Sequence, residues 1–260
     1  MLDVLKADPQ FVLGFALVLS RVTAFLFSSA LFSLTNVSMP LRILLSLLLT
    51  IVIYPLVIND SFRVQWNDFE YLALCAAEIL KGLILGFLTR FFFFVCSAFG
   101  EFLSVTMGLN SSQLFNPHMG TQGSSMEQFI AILGTVFFLS LNGHHYLINY
   151  LVHSYSVWTV GGGFSGLSNL ISIASESGEL VWLAIKLCAP ILVALLIVNI
   201  AMGVLGKAVP QLNVLVSSFP VTILVGFILL IISFPLMVDQ WHVALDWSIS
   251  EAFSVLKAGK

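Results

Sequence analysis

Six long apolar runs constrain what this chain can fold into more than any other feature of its sequence. Each run approaches or exceeds the roughly 20 residues that a helix needs to cross the hydrocarbon core of a bilayer. The runs are Phe11–Leu34, Leu41–Ile58, Tyr71–Phe99, Phe129–Leu151, Leu180–Met202 and Phe219–Val238. Lipid offers no hydrogen bonds to the backbone, and the sequence shows no alternating ten-residue segments typical of a barrel, so the runs are predicted to be helices.

Composition supports a membrane protein. Hydrophobic residues make up 59% of the 260 residues and charged residues 9%, whereas soluble domains average about 45–50% and about 25%. The net charge is −3 and the basic residues are scattered singly, which argues against a nucleic-acid partner. We predict an all-α, polytopic membrane protein in which residues 1–260 form one domain. The first run contains Arg21 and is longer than the apolar region of a signal peptide, so we expect it to stay in the mature protein.

The predicted helices are kinked or broken by proline. Prolines fall within or beside the apolar runs at Pro55, Pro190, Pro210, Pro220 and Pro235. Broken helices at membrane depth are tolerated only where protein or water meets the freed backbone groups. The two longest polar connectors, Gly100–Gln128 and Val152–Glu179, contain no Lys or Arg, so the charge bias that normally sets orientation is weak. Both features favour packing into an assembly over six simple spans.

Charged residues within the apolar runs are candidates for a packing or functional role. Arg21 would be costly near the bilayer centre, so it either snorkels to an interface or contacts another subunit or a pore. Glu78 and Lys81 are spaced i, i+3, share a helix face and can pair, with a proton relay through Glu78 as the alternative. Gly82 and Gly86 form a GxxxG spacing that allows close helix approach.

Nothing in the sequence argues for an enzyme, and no cofactor or metal is predicted. His144 and His145 are adjacent, so on a helix they cannot form the i, i+4 pair of a helical zinc site. The cysteines Cys75, Cys96 and Cys188 lie in apolar runs without metal-ligand spacing, and we interpret them as small buried side chains.

A separate C-terminal tail, residues 239–260, is predicted to be an amphipathic helix. Its apolar residues recur every three or four positions, at Trp241, Leu245, Ile249, Phe253 and Leu256. Such a stripe lies on a membrane surface or docks on a partner, and its near-zero charge favours a partner.

Two stretches together resemble a known family. The first contains "GEFLSVTMGLNSSQLFNPHMGTQ" and continues through "LNGHHYLINY"; the second is "APILVALLIVNIAMGVLGKAVPQLNVLVSSFPVTILVGFILL". Their combination is similar to the FliR family, the R subunit of the flagellar type III protein-export gate, which has injectisome relatives. Asn116 stands where the family often has Asp, and Lys207 stands where Arg is common.

The resemblance implies partners and a location. Family members assemble with P and Q subunits, usually as a single R copy, and work with B and A export-gate subunits in the bacterial inner membrane, within the flagellar basal body. Unfolded flagellar proteins pass through the central channel, and energy comes from partners. The expected function is therefore a core channel subunit that forms and seals the export pore.

The resemblance also implies site residues. A segment after the "MGL" motif is expected to plug the channel, and its bulk and lack of charge suit that role better than the role of a plain solvent connector. The plug residues are Leu109, Asn110, Ser111, Ser112, Gln113, Leu114, Phe115, Asn116, Pro117, His118, Met119, Gly120, Thr121 and Gln122. Subunit packing or interface residues are expected at Arg21, Glu78, Lys81, Gly82, Gly86, Lys207, Pro210, Gln211 and Asn213.

The alternative function is a self-contained secondary transporter for a small solute. Transporters also use broken helices and buried charges, but they usually show two related halves, which this sequence lacks. A membrane enzyme would need a paired nucleophile and base or a metal set, and no such pattern is visible.

Overall fold

Helices make up most of the residues that the computed structural model describes, which are 9–32, 37–57, 68–110, 124–161, 167–209 and 214–257. No strand occurs within these ranges. The helices, in chain order, are α1 (Pro9–Ser28), α2 (Met39–Val57), α3 (Asp68–Leu88), α4 (Arg90–Met107), α5 (Ser125–Ser140), α6 (Gly143–Val157), α7 (Leu167–Ala208) and α8 (Val214–Lys257).

The prediction of an all-α polytopic membrane protein is confirmed. Among the described residues, six helices are long and apolar enough to cross a membrane, or up to seven if the bent pair α5 and α6 forms one span. The six spans are Gln10–Ser28, Met39–Val57, Phe69–Leu88, Arg90–Met107, Val181–Ala208 and Ser217–Ser250.

Two of the predicted apolar runs are each divided by a break in the helix. The long third run is interrupted at Thr89, so that α3 and α4 are separate candidate spans. The fourth run breaks at Leu141–Asn142, where Asn142 takes the left-handed conformation (φ 56°) that Asn tolerates better than most side chains. The third run contains no proline, so the sequence gives no sign of the break at Thr89.

Helices extend into both predicted polar connectors from their ends. Helix α4 continues through Glu101 to Met107, and α6 continues to Val157 before α7 begins at Leu167. Their polar residues misled the prediction, because a hydroxyl in a helix can donate to its own preceding turn. Thr106, for example, donates to the carbonyl of Phe102 over 2.9 Å.

No helix boundary marks the start of the predicted C-terminal tail. Helix α8 runs without interruption from Val214 to Lys257 and includes Pro220 and Pro235. Trp241 and Leu245, the first two members of the predicted apolar stripe, are buried by the chain itself. The Trp241 ring lies 5.3 Å from the ring of Phe137 on α5.

The chain folds into two compact units whose sequences interleave. The first unit comprises Met1–Phe91, Asn142–Ser175 and Trp247–Lys260, and the second comprises Phe92–Leu141 and Glu176–Asp246. In the first unit, α1 packs on α3 and α2, and α2 also touches α6. In the second unit, Gly134 of α5 lies against the Cys96 side chain of α4.

Helix α2 buries hydroxyl side chains and exposes apolar ones, which is the reverse of the pattern in a water-soluble protein. Its buried residues are Ser46, Thr50 and Ile53. Both hydroxyls donate to their own helix, Ser46 to the carbonyl of Ile43 and Thr50 to that of Ser46. The exposed side of α2 carries large aliphatic residues, which are Leu41, Ile43, Leu44, Leu47, Leu48, Ile51, Val52 and Leu56. An apolar surface of this extent requires lipid or a protein partner to cover it.

Candidate functional site

A buried ion network joins α1 and α3 in the first unit. Arg21 Nε donates to Glu78 Oε2 over 2.6 Å, and Lys81 Nζ donates to Glu78 Oε1 over 2.9 Å. All three side chains are completely buried. Arg21 therefore lies inward, and its partner is found within the same chain.

The segment that follows α6 completes the network. Arg21 Nη2 donates to the carbonyl of Trp158 over 2.9 Å, and Lys81 Nζ donates to the carbonyl of Thr159 over 3.4 Å. The backbone N–H of Gly161, where φ is 71°, donates to Glu78 Oε1 over 3.3 Å. The chain after α6 is thereby fixed across α1 and α3.

An aromatic side chain also meets Arg21. The guanidinium carbon lies 4.1 Å from the centre of the Tyr155 ring, an arrangement that stabilises a cation. The Tyr155 hydroxyl donates to the carbonyl of Val18 over 3.3 Å, which ties α6 to α1.

The network contains two cations and one carboxylate. The surplus positive charge is met by the carbonyls of Trp158 and Thr159 and by the ring of Tyr155. Each ion would be costly to bury alone, so the three elements that supply these groups stabilise one another only when they are together. This arrangement is suited to holding helices in place, and its buried groups present no surface to a substrate.

The close approach of α1 and α3 depends on two glycines. A Cβ added to Gly82 would meet the Arg21 carbonyl oxygen and, at 2.8 Å, the Ala24 Cβ. One turn later, a Cβ on Gly86 would lie 2.6 Å from the Phe25 carbonyl oxygen. The GxxxG spacing therefore brings the backbone of α1 close enough for Arg21 to reach Glu78.

The end of α4 shows why the sequence "MGL" precedes the predicted plug. Gly108 takes φ 75°, its N–H donates to the carbonyl of Val105 over 3.2 Å, and the N–H of Leu109 donates to that of Ser104 over 3.0 Å. This pair of bonds is a Schellman cap, which glycine favours because it has no Cβ. Helix α4 therefore ends where the predicted plug begins.

The described part of the plug is held against α4. The Ser104 hydroxyl donates to Asn110 Oδ1 over 2.7 Å, and Asn110 Nδ2 donates to Glu101 Oε1 over 3.4 Å. Asn110 thus folds back by two turns along the helix that it follows.

Met107 anchors the same end of α4 to α8. Its carbonyl accepts a hydrogen bond from the Thr222 hydroxyl at 3.2 Å. A Cβ on Gly226 would lie 2.7 Å from the Met107 methyl carbon, so Gly226 provides the space that this buried thioether fills.

The chain that returns after the plug is also fixed to α4. Ser124 caps α5, because its hydroxyl accepts hydrogen bonds from the N–H groups of Met126 and Glu127 at 3.2 and 3.5 Å. A Cβ on Gly100 would lie 2.6 Å from Glu127 Cα. The chain is therefore attached to α4 both before and after segment 111–123, at positions between Gly100 and Gly108.

The remaining predicted site residues have less structural support. Ser111–Gln122 lie outside the described residues, and so do Pro210, Gln211 and Asn213. Lys207 is exposed in the last turn of α7. The role of the nine packing or interface residues between subunits stays a prediction.

Sequence reasoning missed several residues of both clusters. Tyr155, Trp158 and Gly161 meet Arg21 or Glu78 from far along the chain, and Glu101 and Ser104 hold Asn110. Only Gly161 carried a signal, because it opens the glycine-rich stretch "GGGFSG". The backbone carbonyls have no sequence signature.

The fold and these clusters define a class: a polytopic helical membrane protein, held together by a buried ion network, with a polar segment tethered at both ends to one helix. Residues 12–247 match the family model described as bacterial export proteins, family 1. The chain belongs to this family, and the predicted resemblance to FliR is confirmed.

Individual relatives agree with the family match. The flagellar biosynthetic protein FliR of Bacillus subtilis (strain 168) is 30% identical over 222 residues, which cover 84% of this chain and 85% of that protein. FliR of Escherichia coli (strain K12) is 31% identical, with 84% of this chain and 83% of that protein covered. FliR of Aquifex aeolicus (strain VF5) is 28% identical, with 88% of each covered.

Proposed function

We propose that this chain is a core channel subunit of the bacterial flagellar protein-export gate, and that segment 109–122 seals its pore. The observation that carries the proposal is that the chain is attached to α4 on both sides of this segment, at the Gly108 cap before it and where Glu127 lies against Gly100 after it. The family match supports protein export, and the names of the relatives support flagellar biosynthesis.

The composition of the segment suits a seal. Residues 109–122 contain no Asp, Glu, Lys or Arg, so they would not hold a passing charged chain by ion pairing. Leu114, Phe115 and Met119 supply bulk, and the thioether of methionine adapts its shape. Attachment of the chain on both sides would keep such a segment at the pore.

The exposed apolar surfaces support assembly with other membrane proteins. Large aliphatic side chains are exposed along α2 and along the second half of α7, and water cannot cover them favourably. We propose that the P and Q subunits of the export gate cover part of this surface, that the B and A subunits join the complex, and that the complex lies in the cytoplasmic membrane. Unfolded flagellar proteins would be its substrates.

A loop replacement tests the seal. Residues 111–122 are replaced by a Gly-Ser linker of equal length in cells that make all the partners, while Leu109, Asn110 and Glu127 are kept so that both attachments to α4 remain. We expect the complex to assemble and the cells to become permeable to ions and small solutes.

A matched control uses a second connector of the same chain. Replacement of residues 162–166 by a Gly-Ser linker of their own length should leave permeability unchanged, because that connector is already rich in Gly and Ser. Normal permeability and normal export in the 111–122 variant would show that the segment is only a connector. Loss of the assembled complex in that variant would contradict the assignment of both attachments to the flanking residues.

A further inference from the structure

An open groove of about 420 Å³ follows α1 in the first unit, along the side where α1 meets α3. It extends along α1 from Ala16 to Phe27, which is about 16 Å at 1.5 Å per residue. This length is close to half of the roughly 30 Å thickness of a bilayer core, the depth of one lipid leaflet. The lining residues include Ala16, Ser20, Ala24 and Phe27 of α1 and Ile79 and Leu83 of α3.

The lining of the groove is apolar although it contains two hydroxyl residues. Ser20 and Thr23 each donate to a carbonyl of the preceding turn of α1, over 2.7 and 2.6 Å. Their hydroxyl protons are thereby used within the helix. On the α3 side, Ile79 and Leu83 are exposed. The groove therefore offers hydrocarbon contacts to whatever occupies it.

The groove is too narrow for another helix. A volume of about 420 Å³ spread over about 16 Å corresponds to a cross-section of about 25 Å². A helix with its side chains is about 10–12 Å wide, so its cross-section is at least about 80 Å². An unbranched hydrocarbon chain is much thinner than a helix and has the shape of this groove.

Two arginines lie at the Phe27 end of the groove. The guanidinium carbon of Arg42, in α2, lies 5.9 Å from the centre of the Phe27 ring. Arg90, at the start of α4, donates through Nε to the carbonyl of Ser28, the next residue of α1. Within ten positions of either arginine the sequence has no Asp or Glu. The apolar groove therefore ends at a site of positive charge.

We propose that this groove binds one acyl chain of an anionic phospholipid, and that the phosphate of the lipid contacts Arg42 and Arg90. A guanidinium presents five N–H donors in a planar fork that matches the oxygens of a phosphate. Arginines in membrane proteins reach for the interface, where lipid headgroups lie, and from that level the groove runs inward by one leaflet. The charge of the two arginines selects an anionic headgroup, and the width of the groove selects a single chain. The proposal does not depend on the proposed function.

Photo-crosslinking with a modified lipid tests the site. Phosphatidylglycerol that carries a diazirine in one acyl chain is added to the detergent-purified complex, and adducts are mapped by mass spectrometry. We expect adducts on the groove residues of α1 and α3, and few adducts there from phosphatidylcholine with the same chain. No phosphatidylglycerol adduct in the groove would overturn the proposal, because a protein segment or no ligand would then occupy it. Equal yields from the two lipids would also overturn it.

Substitution of the two arginines tests the headgroup contact. The double variant Arg42→Gln/Arg90→Gln should lower the adduct yield in the groove roughly tenfold, as expected for the loss of one or more charge-assisted hydrogen bonds. The control Lys186→Gln removes an exposed cation near the start of the candidate span of α7 and should leave the yield unchanged. A parental yield in the double variant, or an equal loss in the control, would refute the role of the arginines.

A pair of variants at Ser20 tests the acyl-chain contact without changing any charge. Ser20→Leu fills the middle of the groove and should lower the adduct yield, whereas Ser20→Ala keeps the groove open and should retain it. Equal yields in these two variants would contradict the proposed position of the chain. None of these results depends on segment 111–122. An assembled complex that shows no lipid adduct in the groove refutes this site and leaves the proposed function standing.

Discussion

Removal of the Glu78 charge should be the most damaging single change in the buried ion network. In Glu78→Gln, the carboxylate that now accepts from Arg21 Nε, Lys81 Nζ and the Gly161 N–H is replaced by a neutral amide of nearly equal size. Two cations would then share a fully buried site without an anion. Breaking a buried pair in this way costs about 3–5 kcal/mol, equivalent to a loss of more than 100-fold in the folding equilibrium.

The two cations differ in what their removal leaves behind. Lys81→Met leaves the Arg21–Glu78 pair neutral and removes the contact with Glu78 and the 3.4 Å bond to the Thr159 carbonyl, so we expect about 1–2 kcal/mol. Arg21→Met should fall between these two variants, because Glu78 keeps Lys81 but the Trp158 carbonyl and the Tyr155 ring lose their cation. The predicted order of damage is Glu78→Gln, then Arg21→Met, then Lys81→Met.

Thermal stability of the detergent-purified complex measures this order, with the amount of protein in the membrane as a second readout. Each variant should keep its rank in both measurements. A Glu78→Gln complex as stable as the parent, or a Lys81→Met complex less stable than Glu78→Gln, would refute the claim that the Glu78 carboxylate is needed to balance two buried cations.

Three further predictions concern packing, capping and assembly. Gly86→Leu should lower the amount of folded protein measured by immunoblot, because the new side chain would clash with the backbone of α1 at the Phe25 carbonyl. Overpacking of this kind costs about 1–3 kcal/mol. The control Gly178→Ala should leave that amount unchanged, because an added Cβ there meets nothing within 4 Å. Gly108→Val should destabilise the end of α4 by about 1–2 kcal/mol, because φ is 75° at this position. Gly108→Asn should have a smaller effect, and a protease-protection assay compares the two variants. Equal effects would argue against the left-handed cap. An affinity-tagged chain should copurify with two other small multi-spanning proteins, and its isolation as a stable monomer would count against the export-gate assignment.

Local patterns in the sequence predicted local structure well. The apolar runs predicted helices because a backbone in lipid has no other way to satisfy its hydrogen bonds. The i, i+3 spacing of Glu78 and Lys81 predicted that they share a helix face, and in the structure Lys81 Nζ lies 2.9 Å from Glu78 Oε1. The GxxxG spacing predicted a close helix contact without identifying its partner.

Contacts between distant parts of the chain could not be predicted in the same way. Arg21 and Glu78 are 57 residues apart, and no periodicity relates them. The carbonyls of Trp158 and Thr159 take part through their backbone, which every residue has. The break at Thr89 has no proline or glycine beside it to mark it, and α8 continues through Pro220 and Pro235, although proline normally kinks or ends a helix.

The candidate plug illustrates both outcomes. Its composition and its position after "MGL" suggested a seal, but the reason for that position became clear only from the Schellman cap at Gly108 and the bonds from Asn110 to Ser104 and Glu101. The anchoring of the returning chain at Gly100 had no counterpart in the sequence argument, because it depends on the packing of α5 against α4.

Ion flux through the purified complex, reconstituted in lipid vesicles, is the measurement that tests the central claim most directly. The parental complex should hold an ion gradient, and the complex with residues 111–122 replaced by a Gly-Ser linker should dissipate it at the same protein-to-lipid ratio. Equal flux in the two preparations, with the same subunits present in both, would contradict the claim that this chain forms and seals a pore.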